Sequence, residues 1–292
     1  MIDMAIRKQL GDFLLDVAFS IPDTGLTALF GRSGAGKTSV IAAMAGLLTP
    51  DWGHIQVAGR RLFDSQSGKD VPVHQRRMGY VFQEGRLFPH LSVRDNLLYG
   101  FRRAPAGLHR ITLEEILDLL GIATLLPRRP RDLSGGEKQR VAIGRALLAQ
   151  PEVLLMDEPL ASLDAPRKRE ILPYLERLRD ELRLPIVYVS HAIEEVVRLA
   201  NHVVVLEAGK VAATGTPEQL GERLDLRPLL GEFELGAVVD ARVQDYDIGF
   251  DLSNLAFDGG ILRVPGRAGP AGARVRVRVR ARDVSLALER PA

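Results

Sequence analysis

The 292 residues carry 39 Lys and Arg against 37 Asp and Glu, a net charge of only +2, and 46% of them are hydrophobic. That balance argues against a dedicated nucleic-acid binder, and the apolar share suffices for a sizeable core. There is no cysteine, which excludes disulfides and thiolate metal sites and is compatible with a reducing compartment.

The length suggests two domains, or one large domain with an appendage. Met1 to Arg7 lacks an apolar core of signal-peptide length, and no stretch of 18 apolar residues occurs, so any membrane role is expected to come through a partner. Residues 4–22 read as two short strands around Leu10-Gly11-Asp12. Phe13 beside that turn is expected in the core, with stacking on a nucleotide base as the alternative.

Leu26 to Phe30 is an apolar run of strand length, and Ser39 to Ala45 is helix-like. Between them lies Gly31-Arg32-Ser33-Gly34-Ala35-Gly36-Lys37-Thr38. Strand, glycine loop and helix form the setting in which G-x-x-x-x-G-K-[ST] cradles phosphate. The glycines let several N–H groups converge on one anion, and the helix N-terminus adds its positive end. Lys37 supplies a point charge for the β- and γ-phosphates, Thr38 a hydroxyl for Mg²⁺, and Ser39 lies in the first turn.

His54 to Val57 alternates like an exposed strand. Val71 to Tyr80 is polar and basic. Gly79 to Gln83 is a strand ending on a glutamine, which by itself reads as a solvated loop residue. Residues 88–150 look helical, with a capping box at Thr112 and Glu115 and a stop at Gly121. Leu133-Ser134-Gly135-Gly136-Glu137 opens another helix. Ser134 with Glu137 is a second capping box, while the paired glycines open that N-terminus to an anion. No P-loop lysine accompanies them, so this is half a site, workable only opposite a complete one.

Pro151 to Met156 is an apolar strand suited to the centre of a parallel sheet. It ends in Asp157-Glu158, a pair suited to binding Mg²⁺ and polarising water. Ser162-Leu163-Asp164 follows, Pro166 starts a helix, and Pro173 is expected to kink it. Pro185 to Val189 is a further buried strand ending in Ser190-His191. Alone, that histidine reads as structural; beside Asp157 and Lys37 it could reach a γ-phosphate. Residues 192–200 read as a helix and Val203 to Leu206 as a strand. From about Arg227 the texture becomes short alternating runs. Arg274 to Arg280 puts four arginines on one strand face and three valines on the other, a half-buried strand with a charged edge, or an anion-binding face.

In order, these marks resemble the ATP-binding-cassette ATPases over residues 1 to about 225. The resemblance implies an α/β P-loop core (1–226) with an inserted helical subdomain (about 88–150), followed by a small all-β domain (227–292). It implies ATP and Mg²⁺ as ligands, with phosphate contacts from Gly31 to Ser39. Thr38, Asp157 and Gln83 would be the magnesium ligands, Glu158 the residue that polarises water, and His191 the switch histidine. Two subunits would sandwich ATP head to tail, Ser134, Gly135, Gly136 and Asp164 facing the partner's P-loop. Family members usually carry an aromatic where Leu10 stands.

Within the family, Gly79 to His90, Pro166 to Leu175 and Val187 to His191 are most similar to the importer ATPases of molybdate systems, as is Asp283-Val284-Ser285-Leu286. That implies homodimeric subunits at the cytoplasmic face of the inner membrane, a permease partner, a periplasmic oxyanion-binding protein, and no nucleic acid. Sulfate-, ferric-iron- or sugar-importer ATPases are the alternative. A soluble clamp acting on DNA or ribosomes would carry coiled-coil insertions or two cassettes. The molybdate subunits typically continue into a further small β-domain, which Ala292 comes too early to complete, so a short form or a truncated one is expected here.

Overall fold

A computed structural model of the chain describes residues 1–104, 107, 110–221, 223 and 236–280. Two compact units, Met1–Thr214 and Gly215–Ala292, emerge. The expected boundary at 226–227 and the run Asp283-Val284-Ser285-Leu286 lie outside the described residues.

The first unit opens with a hairpin of β1 (Ile2–Leu10) and β2 (Phe13–Ile21), joined at Gly11, whose φ of 58° suits a residue without Cβ. Next come β3 (Leu26–Phe30), α1 (Lys37–Ala45), β4 (Trp52–Val57), β5 (Arg60–Asp64), β6 (Lys69–Asp70) and β7 (Met78–Val81). The helical stretch holds α2 (Val93–Phe101), α3 (Leu113–Leu120) and α4 (Gly135–Leu148), with α2 and α3 packed on α4. The chain continues through β8 (Val153–Asp157), α5 (Ala165–Glu181), β9 (Ile186–Ser190), α6 (Ile193–Leu199), β10 (His202–Glu207) and β11 (Lys210–Gly215). Helix α5 runs on as one element through Pro173.

Two sheets result. One is antiparallel in the order β2-β1-β4-β5-β6; the other runs β11-β10-β3-β9-β8-β7, with parallel pairing from β10 to β7. β3, β8 and β9 are apolar almost throughout because helices and sheet neighbours cover both faces. Helix α1 is buried between the sheets. Val40, Ile41 and Met44 share one core with Met4, Ile6 and Val17 of the first sheet and Leu29, Leu155 and Val189 of the second. A helix apolar on most of its circumference has no solvent face to float on, so its N-terminal loop is fixed in place.

The second unit holds α7 (Pro217–Gly221), β12 (Gly236–Asp247), β13 (Leu252–Phe257), β14 (Gly260–Pro265) and β15 (Arg274–Arg280), the strands antiparallel in the order β14-β13-β12-β15. Val275 and Val277 pack on Ala241, Val243 and Leu255, while Arg276 pairs with Asp240 and Glu218. The alternating run is thus an edge strand, and carboxylates of its own unit already meet Arg276.

Candidate functional site

Four neighbouring parallel strands deliver the expected residues to one sheet edge. Phe30 lies opposite Ser190, Val189 opposite Asp157, and Met156 opposite Val81. The loop Gly31–Thr38 after β3, His191 after β9, Glu158 after β8 and Gln83 after β7 therefore leave the sheet side by side. A crevice at the carboxyl ends of parallel strands is where open α/β sheets bind ligands.

The glycine loop is shaped by exclusion. A Cβ on Gly31 would run into the Leu206 carbonyl, and Gly34 and Gly36 take φ of 79° and 100°. Arg32, Ser33 and Gly34 are exposed, Ala35 is buried, and no side chain caps α1. The first-turn N–H groups are thus left for a ligand, as a phosphate cradle requires. Lys37 is 4% exposed. Its Nζ donates to the carbonyls of Gly31 (2.8 Å) and Arg32 (3.0 Å) and stands 4.0 Å from a Glu158 carboxylate oxygen. Burial pulls the ammonium below its ordinary pKa, and the charges of Glu158 and Asp157 oppose that pull.

Across from it, Thr38 Oγ1 donates to Asp157 Oδ1 at 3.0 Å, and the Tyr80 hydroxyl donates to Asp157 Oδ2 at 3.3 Å. Burial raises the Asp157 pKa while these two hydroxyls hold it down. Glu158 sits at φ 44°, its N–H held by the Val189 carbonyl at 3.1 Å, and its Oε2 lies 3.1 Å from His191 Nδ1. A non-glycine residue in the left-handed region costs about 1–3 kcal/mol, a strain typical of functional positions. Gln83 is exposed two residues beyond β7.

The second anion site is arranged differently. Ser134 caps α4, and Glu137 returns the bond by accepting the Ser134 N–H at 2.7 Å. Gly135 has a packing reason as well: a Cβ there would press on Leu163, whereas one at Gly136 would only touch Ile171. Asp164 caps α5, its Oδ1 accepting the Arg167 N–H at 3.0 Å. Phe13 packs against the core with its ring tip beside Gly36 and Gly209. Two participants escaped the sequence reading. Tyr80 is one, a polar tip in an otherwise apolar strand. The other is Glu195, buried beneath Ser190.

A profile described as ABC transporter matches residues 14–161. The chain belongs to the ABC transporter family. As a member it is an ATP-binding, ATP-hydrolysing cassette, and its P-loop core with a helical insertion is the fold of the solved cassettes it resembles. This ABC ATPase is 55% identical over 291 residues to the molybdenum import ATP-binding protein ModC of Paramagnetospirillum magneticum, covering 100% of this chain and 80% of that protein. It is 54% identical to the ModC protein of Rhodospirillum rubrum, covering 100% of this chain and 78% of that one. Among solved structures, cbiO1 of Clostridium perfringens, part of the transporter complex cbiONQ, superposes with a TM-score of 0.65 at 28% identity, covering 75% of this chain and 89% of that one. The dimeric cassette MJ0796 bound to ADP and Pi gives 0.60 at 25%, covering 74% and 98%.

Proposed function

We propose that this ABC ATPase powers the import of molybdate through a membrane permease. The hydrolytic part rests on one arrangement: Lys37, the Thr38–Asp157 pair and the Glu158–His191 pair share a sheet edge. The choice of molybdate rests on the molybdenum-import relatives, which align along the whole chain.

The triphosphate enters over the α1 N-terminus, and its β- and γ-phosphates replace the Gly31 and Arg32 carbonyls as partners of Lys37. Thr38 and Asp157 suit Mg²⁺: a hydroxyl and a carboxylate 3.0 Å apart are hard oxygen donors. Gln83, phosphate oxygens and water would supply the other ligands. When bound, the ion neutralises charge on the transferred phosphoryl group. Glu158 orients the attacking water, and His191, anchored through Nδ1, turns its other face to the γ-phosphate.

The half-site at Ser134–Gly136 is completed head to tail by a second copy of the chain. The permease docks on the loop from Gln83 to His90, where Arg86 lies over Phe82 and Arg145 over Phe88. No helix among the described residues is long and apolar enough to cross a membrane, so attachment to the cytoplasmic face of the inner membrane runs through that permease, with a periplasmic oxyanion-binding protein delivering solute.

Glu158→Gln tests the chemistry. ATP binding and ATP-driven dimerisation should persist while turnover falls at least about 100-fold; full turnover in this variant removes Glu158 from its role. For the solute, ATPase stimulation in vesicles with the permease should respond to molybdate and not to sulfate or maltose.

A further inference from the structure

Behind His191 lies a buried polar cluster that the hydrolysis chemistry above does not use. Glu195, in the first turn of α6, is 5% exposed. One of its oxygens accepts from Lys168 Nζ at 2.9 Å; the other accepts from the hydroxyls of Tyr188 and Ser190, both at 2.8 Å. Ser190 Oγ in turn accepts the Ala192 N–H at 3.0 Å. The residues on both sides of His191 therefore hang on one carboxylate. At the far end, Lys168 belongs to the first turn of α5, and its own N–H donates to the Asp164 carbonyl at 2.9 Å.

Stability alone is a poor reason for such a cluster. A buried ion pair is often no better than an apolar replacement of the same volume, because desolvation offsets the attraction. A fully satisfied buried network does fix geometry, since each member has one arrangement that leaves nothing unpaired. Its chain here runs Asp164, Lys168, Glu195, Ser190, Ala192, with His191 in the last span. Tyr188 completes it as a neutral donor: it is fully buried, and burial together with Glu195 pushes its ionisation far above the usual range.

We propose that Glu195 is a positioning residue for ATP hydrolysis: its carboxylate ties the Ser190–Ala192 segment to helix α5, so that His191 is held at Glu158 in register with Asp164. The inference rests on the ATPase reading of the site. Glu195 touches no reacting group; it acts through the segment that carries the histidine.

The test compares Glu195→Gln and Lys168→Met with wild type and with His191→Ala, all in the full chain, by steady-state ATPase over a range of ATP. Glu195→Gln keeps the shape, and its amide oxygen can still accept both hydroxyls while its NH2 no longer accepts from Lys168; Lys168→Met cuts the link to α5 from the other side and spares the hydroxyl bonds. Both variants should lose at least tenfold in kcat with KM for ATP within twofold of wild type. A kcat within twofold of wild type in Lys168→Met overturns the proposal, and so does a loss carried by KM in either variant. Should Glu195→Gln fail to fold, Lys168→Met decides alone. Full turnover in His191→Ala sinks the underlying site reading instead, and the proposal with it.

Discussion

Asp157, the proposed magnesium ligand, is held from two sides. Both of its oxygens already hold hydroxyl donors, Thr38 from α1 and Tyr80 from the neighbouring strand β7. In the proposed site Thr38 would turn to the metal, and Tyr80 would remain as the bond that orients the carboxylate. Tyr80→Phe keeps the ring and its packing on Phe82, 4.4 Å between centroids, but leaves a half-buried carboxylate short of one donor. A hydrogen bond to a charged group contributes about 1.5–3 kcal/mol, so the Mg²⁺ concentration for half-maximal ATPase should rise roughly tenfold with little change in thermal stability. An unchanged magnesium requirement would remove Tyr80 from the site. The difference in legibility between these residues is physical. Lys37 and Thr38 could be read because their chemistry is set by six neighbours in sequence. Tyr80 could not, because its partner lies 77 residues away. Glu195 reads as one of two adjacent acids in a helix until the fold encloses it.

At the scale of elements, β3 and α1 were open to reading because an apolar strand, a glycine turn and an apolar helix each announce themselves by period and composition. The segment from Val71 to Tyr80 misleads in the opposite sense. It is polar and basic, yet Arg76 within it is 1% exposed. Its guanidinium donates to the carbonyls of Ala43 and Met44 at the end of α1, to the Val71 carbonyl, and to Asp70. A charge normally marks surface; this one bonds carbonyls at a buried helix end, sharing that of Ala43 with the Gly46 N–H, which composition cannot reveal. It also fixes the far end of the helix whose near end is the proposed phosphate cradle. Arg76→Met fills the volume and takes the arginine's bonds from the Met44 and Val71 carbonyls, while the Ala43 carbonyl keeps the Gly46 N–H. At about 1–3 kcal/mol for each unsatisfied group, a loss of roughly 3 kcal/mol is expected. For a unit of this size that is about 6–12 °C in the midpoint of its thermal transition. A shift below about 2 °C would mean that water or a neighbour replaces the arginine at no cost. The arginine run of β15 teaches a similar lesson: alternation foretold which face the valines take, but Glu218 as a partner of Arg276 lies outside any pattern in the run.

For the whole molecule, the decisive feature is that a complete lysine loop and an incomplete cap occur in the same chain. The loop has its uncapped helix N-terminus, its buried cation and its carboxylates within one sheet edge. The cap has an exposed serine and two glycines, the second buried against Ile171. In the proposed head-to-tail pair each cap would lie over the other loop, and a two-fold interface uses the same surfaces on both copies. Mixing therefore discriminates between a chain that works alone and one that works in pairs. Lys37→Ala disables the loop and spares the cap. Ser134→Arg blocks the cap and spares the loop; Ser134 is the better site because it is exposed, whereas Gly136 is buried. The Ser134→Arg chain loses a helix cap worth about 1 kcal/mol, which the fold should tolerate. Each variant alone should turn over little ATP, and only Ser134→Arg, which keeps its loop, should bind it. In an equal mixture, half of the random pairs are mixed, and each mixed pair holds one site with both parts intact. Turnover should then recover to roughly a quarter of wild type, since a quarter of all sites are whole. Recovery should grow with protein concentration as pairing does. A mixture no more active than the sum of its parts, at concentrations where wild type is saturated in ATP-driven dimer, would show that a chain does not borrow its cap from a second copy.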